Sequence, residues 1–109
     1  MKLHFIAWVL PVLITIIAIP LVIGMIPPNN WYGFRTPKTL SSPAIWYAAN
    51  RAMGWFFIGA GLLTMGFNLA LWLTHPGWPE AELGFWMVNV VGIGLVLALI
   101  PSFLYLRGL

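Results

Sequence analysis

Residues 3–25 read LHFIAWVLPVLITIIAIPLVIGM, and after His4 no side chain in that run can carry a charge. A helix needs about 20 mostly apolar residues to cross the hydrocarbon core of a bilayer. The run therefore predicts a first transmembrane helix from about Leu3 to Met25. It is longer than the apolar part of a cleavable leader, roughly 7–15 residues, and no small-x-small cleavage site follows it. Pro11 and Pro20 lie inside it and are expected to kink it, which spanning helices tolerate. Further along the chain, the same reading gives a second span from about Ala52 to Leu73. A third runs from about Leu83 to Leu106, with Pro101 as a bend near its end.

The composition agrees. Of 109 residues, 61% are apolar and 6% are charged, against about 25% charged in soluble domains. So few charges cannot form the polar skin of a soluble globular protein. A disordered chain is excluded as well. A net charge of +3, embedded in apolar sequence, is no footprint for nucleic acid. With no cysteine there is neither a disulfide nor a thiolate metal site. The expected fold class is an all-α membrane protein. It has three transmembrane helices, with an interfacial motif loop between the first and second, and forms one unit over residues 1–109.

The two connections differ. Residues 74–81, Thr-His-Pro-Gly-Trp-Pro-Glu-Ala, form a short helix-breaking turn, which makes the second and third spans antiparallel neighbours. The link over residues 27–51 is longer and holds three of the five bases. Within it, Ser42-Pro43 reads as an N-cap followed by proline at the first helical position. A helix from Pro43 to Leu73 would be about 46 Å long and would outrun a hydrocarbon core of about 30 Å. Its first turns are expected to stand in the headgroup layer. Lys2 falls on one side with Glu80 and Glu82; Arg35, Lys38, Arg51 and Arg107 fall on the other. The positive-inside rule then puts the N-terminus outside and the C-terminus in the cytoplasm. Trp31, Tyr32, Trp46, Tyr47 and Trp55 suit one aromatic belt, and Trp8, Trp72, Trp78 and Trp86 the other.

The informative feature is an imbalance of charge. No Asp or Glu occurs before residue 80, so Arg35, Lys38 and Arg51 have no acidic side chain on their own side of the bilayer. A partly dehydrated charge must be paired or hydrogen-bonded. These bases must face water, lipid phosphates, backbone carbonyls, or an anionic ligand or partner. One reading is anchoring to headgroups. The other is a pocket for an anion or headgroup, because the bases sit in Asn29-Asn30-Trp31-Tyr32-Gly33-Phe34-Arg35-Thr36-Pro37-Lys38-Thr39-Leu40 and in Trp46-Tyr47-Ala48-Ala49-Asn50-Arg51. Gly33 permits a tight turn, and Pro37 stiffens the path. Trp46, Asn50 and Gly54 share one helix face. Guanidinium forks, amides and hydroxyls beside indole rings suit an anion.

Those two runs, with Gly54 after them, resemble the signature of the SdpI family, named for immunity to a secreted peptide toxin that kills sibling cells. The resemblance covers Asn30 to about Gly54, and the flanking spans fit the family's three-helix unit. It carries over Asn30, Tyr32, Gly33, Arg35, Thr36, Pro37, Thr39, Trp46, Asn50, Arg51 and Gly54 as signature positions. It implies a multi-pass protein of a bacterial cell membrane, acting in immunity to a membrane-active peptide or in envelope signalling. The expected contacts to a partner or lipid headgroup are Asn30, Tyr32, Arg35, Thr36, Lys38, Thr39, Trp46, Asn50 and Arg51. Gly33, Pro37 and Gly54 are expected to be structural. Membrane lipids, a peptide toxin or other anionic ligand, and a second copy or another membrane protein are the partners in view. No cofactor is expected.

Elsewhere, Asn68 and Asn89 lie at matching depths and are expected to hydrogen-bond across the second and third helices. Gly59, Gly61, Gly66, Gly92 and Gly94 read as sites of close helix packing. His75, Glu80 and Glu82 match no metal spacing; the two acids suit the dipole at a helix start. The chain shows no nucleophile–base pair or phosphate loop. The alternative to a non-enzymatic role is a small enzyme or carrier for an anionic lipid or amphiphile. Its difficulty is that the loop side has no carboxylate, cysteine or histidine to move a proton.

Overall fold

In the computed structural model, which describes residues 2–109, three helices account for most of the chain. The first, α1, spans Leu3–Val22. A loop containing a 3-10 turn at Thr39–Ser41 leads to α2, Pro43–Thr74. A short turn then leads to α3, Glu80–Arg107. All three are long and apolar enough to cross a membrane, and there is no strand among the described residues. Large apolar side chains point away from the bundle along each helix, Ile16, Leu63 and Leu104 among them. Lipid, and not water, is the solvent that suits such a surface.

The helix starts follow the sequence signals. Ser42 caps α2, its hydroxyl accepting the Ile45 N–H at 3.2 Å, with Pro43 at the first helical position. Glu80 and Glu82 lie in the first turn of α3 and Arg107 in its last, the signs that the helix dipole favours. At 1.5 Å per residue, α1 is about 30 Å long and α2 about 48 Å. The first two turns of α2 therefore project past the end of α1, and the loop folds over that projection.

The helices meet where side chains are smallest. A Cβ on Gly61 would collide with the Thr15 hydroxyl and come within 3.0 Å of the Pro11 carbonyl. Gly54 faces Val22 and the Ala18 carbonyl in the same way, one on a Cβ at 2.7 Å and the other at 3.1 Å. The seam between α1 and α2 thus depends on two glycines seven residues apart. Gly94 admits Thr64 between α2 and α3. Gly59, Gly66 and Gly92 do not pack as expected: a Cβ on any of them would meet nothing within 4 Å. A small residue at these positions brings no helix of this bundle closer.

The expected Asn68–Asn89 bond also does not form. Asn68 is fully buried and donates to the Met87 carbonyl at 3.2 Å. Asn89 is two residues past Met87, about 200° around α3. It is exposed, and it donates instead to the Phe85 carbonyl of its own helix at 2.8 Å. Depth matched, but the helix face did not.

Candidate functional site

The loop end of the bundle is organised by how α1 stops. Gly24 adopts a positive φ of 74°. The Gly24 N–H reaches the Leu21 carbonyl and the Met25 N–H reaches Pro20. This is a complete Schellman end, which terminates the helix at Val22 rather than at Met25 as the apolar run suggested. It leaves the Val22 carbonyl exposed, and the Nε of Arg51 donates to it at 3.0 Å. A guanidinium at a helix C-terminus satisfies an orphan acceptor and the negative end of the dipole together.

Beyond Gly24 the chain doubles back. Asn29 forms a local turn: its carboxamide oxygen accepts from the N–H groups of Trp31 (2.9 Å) and Tyr32 (2.6 Å) while its amide donates to Pro27. Asn29 rather than Asn30 is thus the organising asparagine, by the tendency of this side chain to bond its own backbone two residues on. The Tyr32 hydroxyl reaches the Ile17 carbonyl, beside the place where Pro20 cannot supply its helical N–H. Burial raises the Tyr32 pKa above the ordinary tyrosine value.

Gly33 has a φ of 106°, and a Cβ there would sit 2.6 Å from the Asn50 oxygen. Both conformation and space demand glycine. The next residue is held from both sides. Asn50 accepts the Phe34 N–H at 2.6 Å and returns a bond to the Phe34 carbonyl at 3.3 Å, with a further bond to Trp46. Asn50 is buried and imitates a paired strand. The Phe34 ring then meets Phe103 of α3 edge-on, centroids 5.0 Å apart. Trp46 is entirely buried and donates its indole N–H to the Ile26 carbonyl at 2.8 Å. It belongs to the core of this cap and not to the aromatic belt.

The remaining loop is closed by a reciprocal pair. Thr39 accepts the Thr36 N–H at 2.7 Å, and Thr36 accepts the Thr39 N–H at 3.1 Å. Pro37 lies between them. Thr39 is wholly buried. Lys38 points across to the C-terminus of α3, its ammonium 3.4 Å from the Arg107 carbonyl. Arg51 and Lys38 therefore sit on the exposed ends of two different helices, where backbone carbonyls partly answer their charge.

The structure brings the candidate contact residues together, but it ties most of them to the chain's own backbone. Trp46, Asn50, Thr36, Thr39, Tyr32, Lys38 and Arg51 all bond to backbone within the chain. Among the described residues, Asn30 and Arg35 make no side-chain bond, and both are exposed. Between them Trp31 is 78% exposed, its ring 5.9 Å from that of Tyr32. The outward face of the cap is thus an amide, an indole and one uncommitted guanidinium. The sequence reading passed over Gly24 and Asn29. Glycine after an apolar helix and asparagine after paired prolines were the available signals.

At the opposite end, Lys2 pairs with Glu80 at 3.0 Å. His4 Nδ1 lies 3.3 Å from the other Glu80 oxygen but out of line for a hydrogen bond. These acids lie at the far end of the bundle from Arg35. No group of three or more His, Cys, Asp or Glu capable of holding a metal is found among the described residues.

The sequence model of the SdpI/YfhL protein family matches residues 25–105, which takes in the loop, the cap and nearly all of α2 and α3. No curated protein and no solved structure matches the chain.

Proposed function

The chain belongs to the SdpI/YfhL protein family, and from that premise we propose an SdpI-like role in immunity to a membrane-active peptide or in envelope signalling. Its recognition surface is the loop cap. The observation that carries this reading is Arg35, an exposed guanidinium without an internal partner on a loop whose neighbouring polar groups are locked. A rigid platform presenting one free fork and the Trp31 indole suits an anionic group at the membrane surface, a lipid phosphate or a peptide carboxylate. Rigidity matters because little entropy is lost when such a surface binds. Lys38, Arg51, Thr36, Thr39, Trp46 and Asn50 contribute by shaping the platform.

The test is survival of cells challenged with membrane-active peptide toxins, with and without the protein. Protection is expected, and Arg35→Ala at equal membrane abundance should lose it while Lys38→Ala keeps most of it. Unchanged sensitivity across toxins and strains would remove the immunity role. Full protection by Arg35→Ala would remove the cap as its surface.

The same reading places the N-terminus outside and the cap in the cytoplasm, on the distribution of Arg35, Lys38, Arg51 and Arg107 against Lys2. Single cysteines at Ser41 and Gly77 should then label from opposite sides, with Gly77 reached in intact cells. Labelling of Ser41 from outside would invert the orientation.

A further inference from the structure

Asn89 is an exposed polar side chain facing away from the bundle, on a helix long and apolar enough to cross a membrane. It stands nine residues beyond Glu80, about 14 Å along a helix of about 42 Å. A hydrocarbon core of about 30 Å centred on that helix begins roughly 6 Å from its end. The carboxamide is therefore some 8 Å inside the apolar layer. One of its N–H groups is used on the Phe85 carbonyl. Among the described residues nothing donates to its oxygen. Lipid tails cannot supply a donor, and an amide left in hydrocarbon without one is costly.

The surroundings fit a helix. Asn89 lines a groove of about 480 Å³ with Val88, Gly92, Ile93 and Val96, and a Cβ on Gly92 would meet nothing within 4 Å. One turn from the amide, a second backbone can approach α3 closely. The larger groove between α2 and α3, about 620 Å³, is a contrast. Its one hydroxyl, Thr64, is already spent on the Gly61 carbonyl.

We propose that α3 is a self-association surface on which Asn89 of one copy hydrogen-bonds Asn89 of a second copy across a two-fold axis normal to the membrane. A carboxamide is its own complement, offering one donor and one acceptor. Two copies inserted in the same orientation bring the two amides to the same depth without further adjustment. An unrelated helix would need a polar group at that one level. The isologous contact leaves Asn89 paired and Gly92 covered on both sides.

The chain has no cysteine, so single cysteines report on this contact directly in native membranes. Val96→Cys should form a disulfide-linked dimer under mild oxidation, and Leu63→Cys, on the outer face of α2, should not. Adding Asn89→Leu to the Val96→Cys protein should weaken association about three- to thirtyfold. Asn89→Gln should retain much of it. Because Asn89 bonds only to its own helix within one copy, the leucine variant should keep the melting temperature of the dissociated monomer, measured at high dilution in detergent. The proposal is overturned by a monomer in mild detergent with no Val96 cross-link. A Val96 adduct to a different protein, or a dimer indifferent to Asn89→Leu, overturns it equally.

Discussion

Asn50 holds the backbone of Phe34 by both of its polar groups, oxygen to N–H at 2.6 Å and amide to carbonyl at 3.3 Å. The pair spans from the third turn of α2 to the middle of the loop. It fixes the loop to the bundle without a salt bridge. An amide can do this where a carboxylate could not, because both a donor and an acceptor are required.

Removing that amide should loosen the cap specifically. Asn50→Ala leaves the buried Phe34 N–H unpaired, at a cost of about 1–3 kcal/mol. Asn50→Asp keeps the acceptor, loses the donor and introduces a buried charge, so it should be no better. Thermal unfolding in detergent should fall for both variants. Limited proteolysis should open between residues 27 and 41 while the spans stay protected.

Gly33 and Gly59 should respond oppositely to alanine. Gly33→Ala places a Cβ 2.6 Å from the Asn50 oxygen at a φ of 106°, and strain of this kind costs about 1–3 kcal/mol. Gly59→Ala meets open space and removes a poor helix former, so it should be neutral or stabilising by up to about 1 kcal/mol. Paired melting curves decide it; equal effects would contradict the packing described.

Arg51 is an end-cap for α1 by its contact with Val22. Arg51→Ala should lower stability by about 1 kcal/mol and increase amide exchange in the last turn of α1. Arg51→Lys should restore part of this through charge alone. A loss of toxin protection at Arg51→Ala should track the fraction unfolded, whereas at Arg35→Ala it should appear in fully folded protein.

Tyr32 gives the cap an alkaline limit. Its pKa is raised by burial, so the folded state holds the phenolic proton more tightly than the unfolded chain. The stabilisation is complete below the ordinary tyrosine pKa. It declines as pH rises through that value towards the folded one, because there the unfolded state binds fewer protons. Tyrosinate absorbance should show one late step that Tyr32→Phe removes, and the alkaline decline of the melting temperature should flatten in that variant.

The three spans, the Ser42-Pro43 start of α2 and the acidic start of α3 were legible because each rests on a local pattern. Apolar length, capping chemistry and dipole signs need no knowledge of neighbours. The bases of the loop were legible as unpaired by acids, since their count is a property of the chain. Which of them stays free was not legible. Arg51 finds Val22 only because a Schellman end exposes that carbonyl, and Lys38 finds α3 only because the bundle brings Arg107 beneath it. Trp46 looked interfacial for the same reason, since the loop that buries it is distant in sequence. Asn68 and Asn89 failed as a pair because depth can be counted along a helix, while facing depends on the rotation of both partners.

Consider finally how far α2 projects beyond α1. The residues that hold the cap, Ser42, Trp46, Asn50 and Arg51, ride on the same continuous helix as Gly61 and Asn68 in the membrane. With about 24 Å from the midpoint of α2 to Pro43, a tilt of 10° would swing that tip by about 4 Å. The loop, fastened to this arm, would swing with it. A bilayer whose thickness favoured such a tilt would therefore reach the cap as a sideways displacement along the membrane surface, with little change in its height above the lipid.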